Sequence, residues 1–280
     1  MTFQRTSARS SRLQDLGAAG AKNAMLWLEA QWTTVIALVV FGACYMLTAA
    51  IFCLAAILSR RAVAKDLKEV APVLTPLCII LGLLIGFLAA HVWANLDRAN
   101  QYVGQEAGAL RETILLTDAL PSDVRTGVRQ AVKKHIDFIE SKEWPAMASG
   151  SANLHSVAVG LAEAMTALLS FTPVQSNQQL AQQRALAAIE QALEARRNRV
   201  LLSEAEIAPL QWIVIIGLAV LILVTLAMVL IQERLAMAIA MFIYSTGIAV
   251  CLVLLMSYDR PFGTGGFVVQ PTVLRDILPD

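Results

Sequence analysis

Four stretches empty of Asp, Glu, Lys and Arg constrain this chain more than any other feature. Between Glu29 and Arg60 lie 30 such residues, between Glu69 and Asp97 27, between Glu206 and Glu233 26, and between Arg234 and Asp259 24. A helix rises about 1.5 Å per residue, so a hydrocarbon core of about 30 Å needs about 20 apolar residues. Each stretch is long enough, and spans are expected at about 33–58, 73–94, 210–231 and 235–257. The composition agrees: 57% of residues are hydrophobic and 15% charged, where soluble domains carry about 25% charged residues.

The expected class is all-α, a polytopic membrane protein with four transmembrane helices in two hairpins. A basic tail (1–32) precedes hairpin 1 (33–94); a helical soluble insert (95–209) separates it from hairpin 2 (210–257), and a short tail (258–280) follows. An even number of spans before the insert puts both tails and the insert on one side and both hairpin loops on the other. Charge does not orient this plan. The first loop carries Arg60, Arg61, Lys65 and Lys68 and the N-terminal tail Arg5, Arg9, Arg12 and Lys22, so the positive-inside rule ties. No cleaved signal peptide is expected, since residues 1–25 hold no compact apolar stretch. Cys44, Cys53, Cys78 and Cys251 all fall inside spans, which favours packing over disulfides.

The insert reads as four or five helices, two of them extending the second and third spans. Val124, Val128, Ala131, Val132, His135 and Ile139 recur at spacings of three and four, and Pro121, Pro145 and Pro173 punctuate the segment. Catalysis needs clustered groups, and His91, His135 and His155 stand apart from one another and from the cysteines. Gly263, Gly265 and Gly266 read as a turn. No enzymatic activity, metal or cofactor is expected, and a net charge of +1 gives no pointer to nucleic acid. Spans without carboxylates also disfavour a coupled transporter, whereas an apolar constriction suits a passive pore.

At 100° per residue, Ile80, Leu84, Phe87, His91 and Arg98 share one stripe of the second span, with Gly82 and Gly86 on the opposite side. The stripe is either a lipid-facing or bundle surface whose His91 and Arg98 snorkel, or a pore constriction opening into a basic mouth. The glycines let another helix approach closely. Arg196, Arg197 and Arg199 precede the third span as a solvated face, a lipid-phosphate contact or a ligand site.

Three segments carry a family resemblance. They are Glu106-Ala-Gly-Ala-Leu-Arg111 with Pro121, Glu194-Ala-Arg-Arg-Asn-Arg199, and Asp259-Arg260-Pro261-Phe262-Gly263. Together they resemble the bacterial bestrophin-like membrane family, over roughly residues 35–278. The resemblance implies a pentameric anion channel in the bacterial inner membrane, a pore lined by the second span, an insert in the cytoplasm and inorganic anions as partners beside the lipid bilayer. It does not extend to calcium gating, because one acidic residue, Asp259, follows the fourth span in place of a cluster. From the residues alone, Asp259 to Gly263 reads as a helix stop with an interfacial salt bridge, in preference to a direct functional site.

The leading expectation is therefore a homo-oligomeric, passive, anion-permeable channel. Its rival is a non-conducting membrane scaffold or sensor that binds a partner through the insert.

Overall fold

The computed structural model describes residues 33–57, 70–152, 158–263 and 268–277. The basic N-terminal tail, the loop bearing Arg60, Arg61, Lys65 and Lys68, and residues His155, Gly265 and Gly266 lie outside the described residues.

Four helices are long and apolar enough to cross a membrane: α1 (Thr33–Ile57), α2 (Ala71–Leu116), α7 (Pro209–Val229) and α8 (Arg234–Tyr258). Between α2 and α7 come α3 (Ser122–Phe138), α4 (Trp144–Ala148), α5 (Val159–Leu169) and α6 (Ser176–Ser203), and α9 (Thr272–Arg275) follows α8. No strand occurs among the described residues.

Helix ends follow local chemistry. Pro209 sits in the first turn of α7, where its missing N–H costs nothing, and the Gln211 side chain accepts the Ala208 N–H at 3.1 Å. That start corrects one expectation: α2 does extend past its span, but α6 stops at Ser203 and α7 begins anew at Pro209. Between α3 and α4 the chain makes a wide turn over Ile139–Glu143, where the Trp144 N–H reaches back to the Ile139 carbonyl. Pro145, next along, has no N–H to continue the ordinary ladder, which favours widening there.

The chain divides into two compact units. The first holds α1, α2 as far as Leu88, and Ala208–Ser257. Leu223, Ala227, Met237 and Met241 form its buried centre, with Ile51, Phe52 and Ala55 of α1 packed against them. Polar side chains pair between helices, as groups without water must. Tyr45 Oη bonds Thr246 Oγ1 at 3.0 Å, Thr48 bonds Ser245, and the Tyr244 hydroxyl donates to the Ala219 carbonyl at 3.0 Å. The four cysteines are free thiols.

The second unit comprises Ala89–Ile207, Tyr258–Gly263 and the described residues after them. One core joins Ala99, Val103 and Leu110 of α2 to Val128 and Val132 of α3, Leu161 and Leu168 of α5, Ala185 and Ile189 of α6, and Phe262 and Leu274 near the C-terminus. Gly160 sets the separation of α3 and α5, since a Cβ there would lie 2.5 Å from the Ala131 carbonyl oxygen and 2.7 Å from the His135 nitrogen. The C-terminal segment is tied back by Val269 N–H to the Pro261 carbonyl, 2.8 Å, and by a two-bond Arg275–Glu140 pair, both 2.9 Å.

Candidate functional site

At the centre of the second unit, helix periodicity turns charges inward. Glu106 lies on the face of α2 that also carries Val103, Ala107 and Leu110, all buried. On α6 the small side chains Ala192 and Ala195 leave room beside Arg196 and Arg199, and on α3 His135 shares the buried face of Val128, Val132 and Ile136. The wide turn brings Glu143 in, 4% exposed.

These groups close into one network. Arg199 donates from Nε to Glu106 Oε2 at 2.8 Å and from Nη2 to Glu106 Oε1 at 3.3 Å and Glu143 Oε1 at 2.6 Å. Its Nη1 donates to Met147 Sδ at 3.3 Å. Arg196 Nε donates to Glu143 Oε2 at 2.7 Å, and His135 Nε2 bonds Glu106 Oε1 at 3.1 Å. The Arg199 guanidinium also lies over the Trp144 ring, 5.4 Å from its centroid, and Trp144 meets Phe262 edge to face at 5.5 Å.

Two guanidiniums thus balance two carboxylates. Burial works to raise the Glu106 carboxyl, but Arg199 and His135 outweigh it and hold the group below the ordinary carboxylate range. Burial likewise opposes the Arg199 charge, and Glu106 and Glu143 outweigh it, so the guanidinium sits above its usual value. Among the described residues every buried side-chain nitrogen and oxygen has a partner. Such a network fixes segments against one another.

It gathers all three segments quoted from the sequence, through Glu106, Arg199 and Phe262. Arg111, Pro121 and Arg197 are exposed and do not join it. The expectation of a solvated arginine face before the third span is therefore corrected: Arg197 is exposed, but Arg196 and Arg199 are 6% and 0% exposed and paired with carboxylates. The signal was available, because Glu106 and His135 each interrupt an apolar helical face. Glu143, Trp144 and Met147 had no such signal, since the wide turn breaks the 3.6-residue period that would place them.

After α8 the Asp259–Gly263 segment turns sharply. The Gly263 N–H bonds the Arg260 carbonyl at 3.1 Å, and a Cβ on Gly263 would come within 3.1 Å of the Arg260 Cβ. Arg260 pairs with Glu206 at 2.9 Å on the surface, and Asp259 Oδ1 accepts the Ile207 N–H at 2.9 Å just before α7. Burial raises the Asp259 carboxyl above its usual value; Glu206 adds to this, and the Ile207 N–H, Arg260 and His91 oppose it.

On α2, Ile80, Phe87, His91 and Arg98 are exposed in the single chain and Leu84 partly so, while Leu81, Leu88, Val92 and Asn95 are buried on an adjacent face. Gly82 and Gly86 are exposed, and a Cβ on either would have no neighbour within 4 Å. Both stripes singled out in the sequence are largely uncovered among the described residues.

Four membrane-length apolar helices define an integral membrane protein of the all-α class. The bestrophin-like domain matches residues 42–274, and the chain belongs to the bestrophin-like family. In three dimensions it is similar to a bacterial bestrophin homolog from Klebsiella pneumoniae carrying one substitution, with TM-score 0.62 and 14% identity over 84% of this chain and 96% of that one. A second singly substituted form of that homolog gives TM-score 0.62 and 13% identity over 85% and 95%. A crystallised membrane protein gives 0.61 and 14% over 85% and 97%. At such identities the likeness is one of fold. No curated protein matches the chain.

Proposed function

We propose that the chain is one subunit of a homo-oligomeric, passive, anion-permeable channel whose pore is lined by α2. The carrying observation is the pair of largely uncovered stripes on that helix. Ile80 and Phe87 are 49% and 69% exposed, Leu84, His91 and Arg98 continue their line, and Gly82 and Gly86 offer a flat flank to another helix. Several copies related by an axis bury both stripes at once: the glycine flank against a neighbour and the large stripe around a narrow apolar lumen that opens at Arg98. Membership of the bestrophin-like family supports the channel reading, and a pentamer is the assembly we propose from the resemblance.

The membrane plan that goes with it has two hairpins and an insert from 95 to 209. The insert and both tails lie in the cytoplasm, beneath a bacterial inner membrane. Labelling from one side should reach position 142 together with the C-terminus and leave position 65 protected; labelling of 142 and 65 together contradicts the plan. No enzymatic step is assigned.

A non-conducting scaffold is favoured by one observation, the apolar tip joining α5 and α6, where Leu169, Val174 and Leu180 are 64%, 91% and 53% exposed. Ion flux from purified protein in liposomes separates the two readings. The channel passes chloride down its gradient; a folded oligomer that passes no ion under varied voltage and pH is the scaffold.

A further inference from the structure

We propose that Asn95 is a positioning residue that assembles His91 and Arg98 into a recognition site for small inorganic anions on the outward stripe of α2. The inference rests on the pore-lining reading above and adds to it a donor geometry that a fixed charge alone does not supply.

Asn95 is 4% exposed, whereas His91 and Arg98, one turn to either side, are both exposed. Its amide touches both: Arg98 Nη1 donates to Asn95 Oδ1 at 3.4 Å, and Asn95 Nδ2 lies 3.3 Å from His91 Nε2. A guanidinium has donors and no acceptor, so it fixes the amide with Oδ1 toward Arg98 and the NH2 toward His91. The NH2 can only donate. His91 Nε2 must then accept, and a neutral imidazole that accepts at Nε2 carries its proton at Nδ1. One buried amide thereby sets the tautomer of His91 and draws the Arg98 guanidinium back along the helix toward it.

His91 Nδ1–H and the remaining Arg98 N–H groups are then left as donors on two exposed side chains. Unlike Arg196, Arg199 and Arg260, Arg98 has no carboxylate partner among the described residues. From another element, Asp259 interacts electrostatically with His91, and its Oδ1 is taken by the Ile207 N–H. Donors on an exposed stripe, repeated by each copy around the proposed pore and without an enclosing pocket, suit a monovalent anion of halide size.

The test is the chloride-to-potassium permeability ratio of purified protein in planar bilayers, with native mass measured for each variant. Asn95→Leu should lower the ratio severalfold although Arg98 keeps its charge, and Asn95→Ala should do the same. Against a His91→Phe, Arg98→Gln background, Asn95→Leu should change nothing further, because its two clients are gone. An unchanged ratio in the single variants, or an equal further loss in that background, overturns the proposal. Loss of assembly in both Asn95 variants marks a packing residue and overturns it too. Wild-type protein that passes no ion removes the pore reading itself, an outcome distinct from a conducting channel indifferent to Asn95.

Discussion

Arg199 holds Glu106 through two hydrogen bonds, at 2.8 and 3.3 Å, across 93 residues of sequence, and neither side chain is exposed. Around that pair α2, α6 and the turn before α4 are fixed against one another. A buried charge deprived of its partner is costly, so Glu106→Gln should destabilise the protein by about 3–5 kcal/mol. Glu206→Gln, at the exposed Arg260 pair, should cost at most about 1 kcal/mol. Unfolding midpoints in mild detergent check both values.

The two acids that depart from ordinary behaviour should give opposite pH signatures. Glu106 is lowered from 4.5, so its contribution is fully present above about pH 4.5 and is lost as pH falls through its folded value. Asp259 is raised from 3.8, so its ionised form burdens the fold at neutral pH and is relieved as pH falls through its folded value. Asp259→Asn keeps an oxygen for the Ile207 N–H and should raise the neutral-pH midpoint, with the gain vanishing below about pH 3.8. A midpoint-against-pH series on both variants reads the signs directly.

Gly160→Ala should destabilise by about 1–3 kcal/mol, because its Cβ would collide with the backbone at Ala131 and His135. Gly127→Ala, on α3 with open space around it, should instead stabilise by about 0.5–1 kcal/mol through lower unfolded-chain entropy. Equal effects at the two positions would contradict the close approach of α3 and α5.

The four apolar helices were legible because the cost of charge in lipid leaves a plain one-dimensional record. The expected limits 33–58 and 235–257 compare with Thr33–Ile57 and Arg234–Tyr258. The charged core was half legible. His135 and Glu106 stood on apolar faces, but opposite charges on α2, α6 and the turn before α4 meet only in three dimensions, and Glu143 arrives through a turn whose period the sequence does not announce. The arginine run before α7 was misjudged for the same reason: its partners lie 53 and 93 residues away.

Gly86→Leu should weaken assembly, since the flank it shares with Gly82 is open within one chain and a leucine would hold a neighbouring helix away. Native mass in mild detergent should fall toward the monomer. Unchanged mass with full stability would count against this flank as the contact between copies.

The central claim is that the stripe from Ile80 to Arg98 lines an anion pore. The most direct measurement is the reversal potential in asymmetric salt for wild type, Arg98→Glu and Leu84→Ala in planar bilayers. Arg98 lies about 10 Å beyond His91 along the helix axis, and its charge concentrates anions at the mouth. Arg98→Glu should move the reversal potential toward cation permeability, less so at high ionic strength. Leu84→Ala should raise conductance by widening and wetting the constriction. A channel whose selectivity and conductance ignore both substitutions would contradict the assignment of this face of α2 to the pore.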